Sequence, residues 1–444
     1  MQNKSISTYV INLPERLDRK KNIIKEFNGK PEFEVKFVDA IKDKVGSIGL
    51  WKSIKIILTD QLLMDDDYII ICEDDHEFTN NYSKDLMFKC ILDAQELGAD
   101  IMLGGVSSVG SIVKSKNTLI WIEKFTGLQF TIIFRKFFSH ILNANFSITE
   151  DADIKISTLT KNKFLIFPYI SIQREFGYSD VTTRNNEFGV VSNMFLESSS
   201  AIKYLLEGDR YYKSIVNDCI NDTDINNYDF AISTFIINLA ERTDRLSHIK
   251  SEFEDKHEFD ISIVNAVKHE IGAVGLWLSI RNIIKNAILT DEDVILICED
   301  DHKFTEYYNK KIFIRNIIRA HNLGADILSG GVNDGFSFTS MITDNIFWLN
   351  HFYGTQFIVI YKKIFQKILS AEFDLLVTAD DFLSSLTSNK MVLYPFISQQ
   401  KYFGYSDVSP NKFNAINDTE IEGFSIASSR LQLVTHATNK FRFL

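Results

Sequence analysis

The sequence predicts an α/β protein made of two tandem copies of one domain, each with a mainly parallel central sheet flanked by helices. Three observations lead to this prediction. Segments with strand-like and helix-like periodicity alternate along the chain. The central run 68–72, YIIIC, is apolar throughout, as expected of a strand covered on both faces. The whole pattern then returns about halfway along the 444 residues.

The strands and helices of the first copy follow each other in a regular order. A β-branched run predicts the first strand, and apolar residues at helical spacing predict the helix after it. The same reasoning gives a second strand, a second helix and the apolar central strand. These five segments are 8–13, 15–27, 35–40, 47–63 and 68–72.

The internal repeat keeps a constant register over most of its length. The segment DDDYIIICEDDHEFT returns as DEDVILICEDDHKFT, and Glu73 and Glu299 lie 226 positions apart. Gly177 and Gly404 are separated by 227 positions, so one residue is inserted between these two points. We expect this insertion in the variable stretch after the GG turn.

The length of the period determines the domain organisation. A repeat of this size requires each copy to fold around its own core. The polar stretch 222–228, rich in Asn and Asp, marks the boundary. The predicted domains are therefore 1–225 and 226–444.

Composition and charge exclude several classes of protein. A net charge of -11 and a pI near 5.4 argue against nucleic-acid binding, which needs a basic face. Four scattered cysteines predict neither a disulfide framework nor a zinc site. The sequence shows no signal peptide and no apolar run of roughly 18 residues, so we expect a soluble, cytoplasmic protein without a transmembrane segment. Peripheral membrane association stays open.

The strongest chemical signal is a run of three acids directly after the central strand. In the first copy it is Glu73, Asp74 and Asp75, and in the second Glu299, Asp300 and Asp301. Open α/β sheets bind ligands at this edge, and crowded carboxylates are costly unless a cation neutralises them. Carboxylate oxygens suit Mg²⁺ or Mn²⁺, which also bind substrate phosphates. The alternative is a solvated acidic turn.

The histidine that follows each acidic run is a weaker candidate. His76 and His302 could bind the same metal ion, but a single histidine after a strand is more often a hydrogen-bonding partner. The tryptophans of the second helix, Trp51 and Trp277, could stack on a sugar or uracil ring. Tryptophans on a helix are more often part of the core.

The turn after the first strand supplies polar residues to the same edge of the sheet. The candidates for nucleotide binding are Asn12, Arg16 and Arg19 in the first copy, and Asn238, Arg242 and Arg245 in the second. A guanidinium at a helix start can bind phosphate, although an ordinary helix turn with solvated charges has the same sequence. The small residues Gly46, Gly49 and Ser53 permit close approach of either a ligand or a neighbouring strand.

Taken together, these motifs resemble glycosyltransferase family 25, which includes lipooligosaccharide and collagen galactosyltransferases. The matching motifs are VINLPERLDR, VGSIGLWKSI, the strand ending in EDD, and a later G-x-Q-F strand. The likeness covers residues 7–180 and 233–407. It implies a GT-A fold, a UDP-sugar donor, usually UDP-galactose, and Mn²⁺. Glu73 and Asp75, and likewise Glu299 and Asp301, would then face the donor ribose and the metal, with Asp74 and Asp300 between them.

A carboxylate must also deprotonate the acceptor hydroxyl. The resemblance implies an aspartate after the later strand, where the second copy has Asp380 and Asp381. The first copy has Asp153 and Ile154 at these positions, and this departure from the family pattern leaves open whether that copy is active. An acidic helix start would give the same sequence. Gln173, Ser179 and Asp180, with Gln400, Ser406 and Asp407, are expected to shape the mouth of the site.

Three functional classes agree with these patterns. The first is a metal-dependent transferase that moves a sugar to a glycan, lipopolysaccharide or protein hydroxyl. The second is a sugar-binding or scaffolding protein with one or both copies inactive. The third is a glycoside hydrolase or phosphoesterase, because paired carboxylates also serve those reactions.

Overall fold

The computed structural model describes residues 5–178, 187–219, 231–404 and 416–441. The chain forms two compact units. Unit 1 contains Met1–Glu207 together with Leu433–Leu444, and unit 2 contains Gly208–Gln432. The predicted boundary at 222–228 lies outside the described residues.

Unit 1 contains twelve strands and five helices, followed by a sixth helix that continues into unit 2. The strands are β1 (Ile6–Asn12), β2 (Phe33–Asp39), β3 (Tyr68–Glu73), β4 (His76–Phe78), β5 (Ile101–Leu103), β6 (Ser108–Val109), β7 (Ile112–Lys114), β8 (Leu119–Ile122), β9 (Phe125–Thr126), β10 (Phe130–Phe134), β11 (Lys163–Ile166) and β12 (Ser171–Gln173). The helices are α1 (Leu17–Phe27), α2 (Gly46–Gln61), α3 (Lys84–Glu96), α4 (Arg135–Asn143), α5 (Ala152–Leu159) and α6 (Val190–Cys219). These counts refer to the described part of the chain.

The main sheet of unit 1 has eight strands in the order β2-β1-β3-β10-β5-β11-β8-β7. Strand β1 is parallel to β2 and β3, and β5 is parallel to β11. Strand β10 is antiparallel to its neighbours β3 and β5, and β8 is antiparallel to β11 and β7. Six strands therefore point the same way and two run against them.

Unit 2 repeats this architecture. Its strands are β13 (Ile232–Asn238), β14 (Phe259–Asn265), β15 (Val294–Glu299), β16 (His302–Phe304), β17 (Ile327–Ser329), β18 (Thr339–Met341), β19 (Ile346–Leu349), β20 (Phe357–Tyr361), β21 (Lys390–Leu393) and β22 (Ser398–Gln400). Its helices are α7 (Thr243–Phe253), α8 (Gly272–Leu289), α9 (Lys310–Asn322), α10 (Phe365–Ser370), α11 (Ala379–Ser385) and α12 (Ile416–Phe441), with a 3₁₀ turn at Lys362–Ile364. The sheet order is β14-β13-β15-β20-β17-β21-β19-β18.

The structure confirms the α/β fold class and the duplication. All four central residues of β3, Ile69 to Cys72, are buried, as expected of a strand covered on both faces. The insertion lies where the sequence places it. It falls after the GG turn and before β7, since Ile112 and its counterpart Thr339 are already 227 positions apart.

The glycine at the start of α2 serves backbone packing. A Cβ on Gly49 would lie 2.3 Å from the carbonyl oxygen of Ile41, and one on Gly275 would lie 2.5 Å from that of Val267. The Ser53 hydroxyl also accepts a hydrogen bond from the Ile41 amide at 2.9 Å. Of the two interpretations left open by the sequence, close approach of a neighbouring segment accounts for Gly49, Gly275 and Ser53. Within the described residues, no helix is long and apolar enough to cross a membrane.

Candidate functional site

Polar residues of unit 1 converge at one edge of its sheet. Strands β1 and β3 are parallel, with Ile11 opposite Glu73, so that Asn12, the last residue of β1, lies beside Asp74, the residue directly after β3. Strand β10 runs the other way, and its first residue, Phe130, lies opposite Cys72. The end of β1, the end of β3 and the start of β10 therefore meet at the same place, which is the usual ligand-binding edge of open α/β sheets.

The two aspartates of unit 1 are neutralised by a buried arginine. Arg19 Nη1 lies 3.0 Å from Asp74 Oδ1 and 3.0 Å from Asp75 Oδ2, and all three residues are nearly inaccessible. Asn12 Nδ2 donates to Asp74 Oδ2 at 2.8 Å, and Gln173 Nε2 donates to Asp75 Oδ2 at 2.7 Å. The cation that the crowded carboxylates require is thus supplied, at least in part, by the protein itself.

Unit 2 contains the same arrangement. Arg245 Nη1 lies 2.9 Å from Asp300 Oδ1 and 3.4 Å from Asp301 Oδ2. Asn238 Nδ2 donates to Asp300 Oδ2 at 2.9 Å, and Arg242 Nη1 lies 3.8 Å from the same oxygen. The equivalent arginine of unit 1, Arg16, lies over the ring of Tyr178, with its guanidinium carbon 5.1 Å from the ring centroid.

Aromatic rings cover the buried arginines. The guanidinium carbon of Arg19 lies 4.9 Å from the ring centroid of Phe176 and 4.6 Å from that of Tyr178. Arg19 Nη2 also donates to the Tyr178 carbonyl at 2.7 Å. The next residues of this predicted mouth, Ser179 and Asp180, and their counterparts Ser406 and Asp407, lie outside the described residues.

Burial shifts the ionisation of the strand-end acids. It raises the pKa of Asp75 to about 6, against the opposing effect of Arg19. Burial, reinforced by Asp75, raises the pKa of Glu73 well above its ordinary value. In unit 2, burial and Asp301 raise the pKa of Glu299 to about 8, although the Thr355 hydroxyl, which donates to Glu299 Oε1 at 2.6 Å, opposes the shift. Such shifts are common at functional sites.

The donor set is compatible with a metal shared with a substrate, but not with a metal cage made only of protein. Both oxygens of Asp74 already accept hydrogen bonds. Among the described residues, the buried Asp75 Oδ1 has no hydrogen-bond partner, so it fits the requirement for a single carboxylate ligand. No group of three or more His, Cys, Asp or Glu residues in the described chain could hold a metal ion. Mg²⁺ is commonly bound by one or two carboxylates together with substrate phosphates.

Two of the three candidate bases, Asp153 at the start of α5 and Asp380 at the start of α11, make equivalent contacts, and Asp381 makes a different one. Asp153 Oδ2 accepts a hydrogen bond from the Gly127 amide at 2.8 Å, and Asp380 Oδ2 accepts one from the Gly354 amide at 2.8 Å. These two aspartates hold the turn before the antiparallel strand, β10 or β20. Asp381 instead pairs with His351, whose Nε2 lies 2.7 Å from Asp381 Oδ1.

The histidines after the acidic runs are core residues with a hydrogen bond. His76 Nδ1 lies 2.8 Å from Ser171 Oγ, and His302 Nδ1 lies 2.8 Å from Ser398 Oγ. The His76 ring packs against Phe78 and Phe130, and burial lowers its pKa to about 3. It is therefore neutral at pH 7, which agrees with the hydrogen-bonding interpretation.

The helix tryptophans are part of the core. Trp51 stacks on Phe146 with ring centroids 4.7 Å apart, and Trp277 stacks on Phe373 at 5.6 Å. Both tryptophans are buried. This agrees with the core interpretation and gives no surface for stacking on a sugar.

Two residues near the acids were not identified from the sequence. His351 and Thr355 contact Asp381 and Glu299 from the segment before β20. Aligning the two copies could have indicated them, because Lys124 and Leu128 stand at the matching positions of an otherwise similar segment. Such a difference shows where the copies diverge but not which side chains meet.

Comparisons with known proteins find only distant similarity. No family model matches the chain, and no curated protein matches it. The resemblance to glycosyltransferase family 25 therefore gains no support from them.

Among solved structures, the chain is similar to A197 from STIV, with 17% identity and a TM-score of 0.29 over 39% of this chain and 87% of that one. It is also similar to a UDP-glucose pyrophosphorylase complexed with UDP-glucose, with 11% identity and a TM-score of 0.26 over 45% and 81% of the two chains. HddC from Yersinia pseudotuberculosis matches with 9% identity and a TM-score of 0.25 over 44% and 99%. Similarities at this level carry no argument about activity.

Proposed function

We propose that the protein is a metal-dependent glycosyltransferase with two GT-A-like domains, which transfers a sugar from a UDP-sugar to a hydroxyl acceptor. The observation that carries this proposal is the strand-end cluster. In it, one buried oxygen of Asp75, close to Glu73 and the Arg19 ion pairs, has no hydrogen-bond partner in the described part of the chain. The motif resemblance to family 25 supports galactose as the sugar. A glycan, lipopolysaccharide or protein would supply the acceptor hydroxyl.

The residues of the cluster would have different roles in binding the sugar donor. Arg19 keeps Asp74 and Asp75 in fixed positions, and among the described residues Asp75 Oδ1 is left without a hydrogen-bond partner. Asp75 and Glu73, with Asp301 and Glu299 in the second copy, would hold Mn²⁺ or Mg²⁺ together with the diphosphate. When bound, the metal stabilises the negative charge that develops on the leaving nucleoside diphosphate. A bound cation would oppose the raised pKa of Glu73, because it favours the charged carboxylate.

A sugar-binding or scaffolding role for one copy is the second candidate. The observation that favours it is the exposed Ile154, which stands in the first copy where the second has Asp381. A first copy without that carboxylate could bind a nucleotide sugar and not turn it over.

Metal-dependent release of UDP from UDP-galactose tests the proposal. We expect calorimetry to detect Mn²⁺ binding in the presence of UDP-galactose, and we expect turnover to fall at least about 100-fold when both Asp75→Ala and Asp301→Ala are introduced. Each single variant should lose only the contribution of its own copy. Ser83→Ala, a helix cap outside the cluster, is the control for general loss of stability.

Two other results would contradict the proposal. Hydrolysis of glycosides or phosphate esters without any UDP-sugar would favour a hydrolase. Metal-dependent turnover that survives the double aspartate substitution would show that the acidic run is not the metal site.

A further inference from the structure

One short segment of unit 2 makes hydrogen bonds to three carboxylates of other segments. The segment is 351–355, separated from β20 by Gln356. Its contacts are His351 Nε2 with Asp381 Oδ1 at 2.7 Å, the Gly354 amide with Asp380 Oδ2 at 2.8 Å, and the Thr355 hydroxyl with Glu299 Oε1 at 2.6 Å. The start of α11 and the end of β15 are thereby tied to the same turn at the edge of the sheet.

Of the two aspartates at the start of α11, Asp381 is the one with an oxygen available to a substrate. Asp380 accepts backbone hydrogen bonds on both oxygens, from Gly354 and from the Asp381 amide. Asp153 of the first copy accepts the equivalent two bonds, from Gly127 and Ile154. This shared aspartate therefore holds the turn in both copies.

Asp381 makes a different set of contacts. His351 contacts its Oδ1, and within the described residues its Oδ2 accepts no hydrogen bond. The Asp381 side chain is 32% exposed, so a substrate hydroxyl can reach it. An oriented carboxylate with one free oxygen is the arrangement expected of a general base.

The first copy cannot form this arrangement. Ile154 replaces Asp381, Lys124 replaces His351, and Leu128 replaces Thr355. None of these three side chains can reproduce the contacts of its counterpart, because the carboxylate, the imidazole and the hydroxyl are all absent. The strand-end cluster of Arg19, Asp74 and Asp75 is nevertheless intact in that copy.

We propose that transfer takes place only in the second copy, with Asp381 as the catalytic base and His351 as the residue that positions it, an inference that rests on the proposed function. The acceptor hydroxyl gives its proton to Asp381 Oδ2 while its oxygen forms a bond to the anomeric carbon. The bond between that carbon and the diphosphate oxygen breaks, and its electron pair leaves with UDP. His351 Nε2–H donates to Oδ1 and keeps Oδ2 directed at the acceptor. The first copy binds the donor and does not turn it over.

The test uses the full chain with UDP-galactose, Mn²⁺ and N-acetylglucosamine, and measures UDP release together with calorimetric binding of UDP-galactose. We expect Asp381→Asn to lower kcat by about 100-fold to 1,000-fold with little change in the Kd of the donor. His351→Ala should lower kcat by about 10-fold to 100-fold, and His351→Gln, which keeps an N–H donor, should recover most of that loss. The matched control is Ile154→Asn, at the equivalent exposed position of the first copy, and should leave kcat unchanged.

Failure of this inference is distinguishable from failure of the proposed function. A wild-type protein that neither binds UDP-galactose nor releases UDP overturns both. Donor binding without any UDP release overturns the catalytic inference and leaves nucleotide-sugar binding standing. Full activity in Asp381→Asn, or an equal loss in Ile154→Asn, overturns the assignment to the second copy. A parallel fall in kcat and donor affinity in both His351 variants would show that His351 is only structural.

Discussion

At the scale of single residues, the main result is that a buried guanidinium links two neighbouring aspartates. Arg19, Asp74 and Asp75 are 5%, 5% and 4% exposed. In such surroundings the free-energy penalty of an unpaired charge is far larger than the net stabilisation by the ion pair. Removing any one of the three residues should therefore destabilise the other two. Arginine suits the position because its planar fork can serve several acceptors, including the Tyr178 carbonyl, which a lysine ammonium could not match in geometry.

Removing the buried guanidinium tests this dependence. We expect Arg19→Ala to lower the free energy of unfolding by about 3–5 kcal/mol, because it leaves two buried carboxylates without their cation. Urea denaturation measures the change. Adding Asp75→Asn should restore part of the loss, since it removes one uncompensated charge. The exposed Lys21→Ala on the same helix is the control, and an equally small effect of both substitutions would contradict the expected role of Arg19.

At the scale of elements, a buried lysine fixes the short helix that carries the candidate base. Lys390, the first residue of β21, donates from Nζ to the Ser384 carbonyl at 2.7 Å and to the Thr387 carbonyl. Ser384 lies in the last turn of α11 and Thr387 just beyond the end of the helix, where backbone carbonyls lack helical partners. Lys163 does the same for α5, with bonds of 2.6 Å and 2.7 Å. Each lysine thus anchors the carboxyl end of its helix. The acidic first turn lies at the other end of the same helix and is positioned by it.

Replacing this lysine gives a prediction with a definite dependence on pH. We expect Lys390→Met to lower the free energy of unfolding by about 1–3 kcal/mol at pH 7, because two buried carbonyls lose their donor. Burial lowers the pKa of Lys390 to about 8, from an ordinary 10.5, so the folded protein releases this proton more readily than the unfolded chain. Wild-type stability should therefore rise from pH 8 to pH 10.5 relative to the variant.

Urea denaturation at pH 7 and at pH 10 measures both parts of this prediction. The deficit of the methionine variant should be larger at pH 10. The exposed Lys44→Met provides the comparison, with little loss at either pH. A smaller loss of stability in Lys390→Met at pH 10 than at pH 7 would contradict the prediction. It would mean that the folded protein stabilises the charged form of the lysine.

At the scale of the whole molecule, the last residues of the chain belong to the first compact unit and not to the second. Residues Leu433–Leu444 belong to unit 1, although the repeat assigns them to the second copy. Phe441 is 1% exposed, and its ring lies 5.1 Å from that of Phe164 on β11. The last turns of α12 therefore complete the core of the first unit.

Replacing Phe441 with alanine should destabilise unit 1, although most of that unit is distant from Phe441 in the sequence. We expect Phe441→Ala to cost about 3–5 kcal/mol, as is usual for a buried phenylalanine. Hydrogen exchange should show faster exchange in Lys163–Ile166 and little change in Lys390–Leu393 of unit 2. Phe347→Ala, in the core of unit 2, should give the converse pattern. Loss of protection confined to unit 2 after Phe441→Ala would contradict the assignment.

The sequence by itself determined the α/β class, the duplication, the first strands and helices up to the central strand, and the acidic run at the sheet edge. These features are local, because periodicity, turn residues and self-similarity can be read within one short segment. Helix α2 and strand β3 lie where their patterns predict them, and the insertion falls after the GG turn.

Only the tertiary structure decided which charges meet. Arg19 lies 55 positions from Asp74, and His351 lies 30 positions from Asp381, and no pattern in the sequence links either pair. The acids require a cation on electrostatic grounds, but whether a metal or a guanidinium supplies it depends on which side chains the folded sheet brings within 3 to 4 Å. The same holds for the end of α12, since the core that buries Phe441 is formed by distant segments and is chosen by packing rather than by chain order.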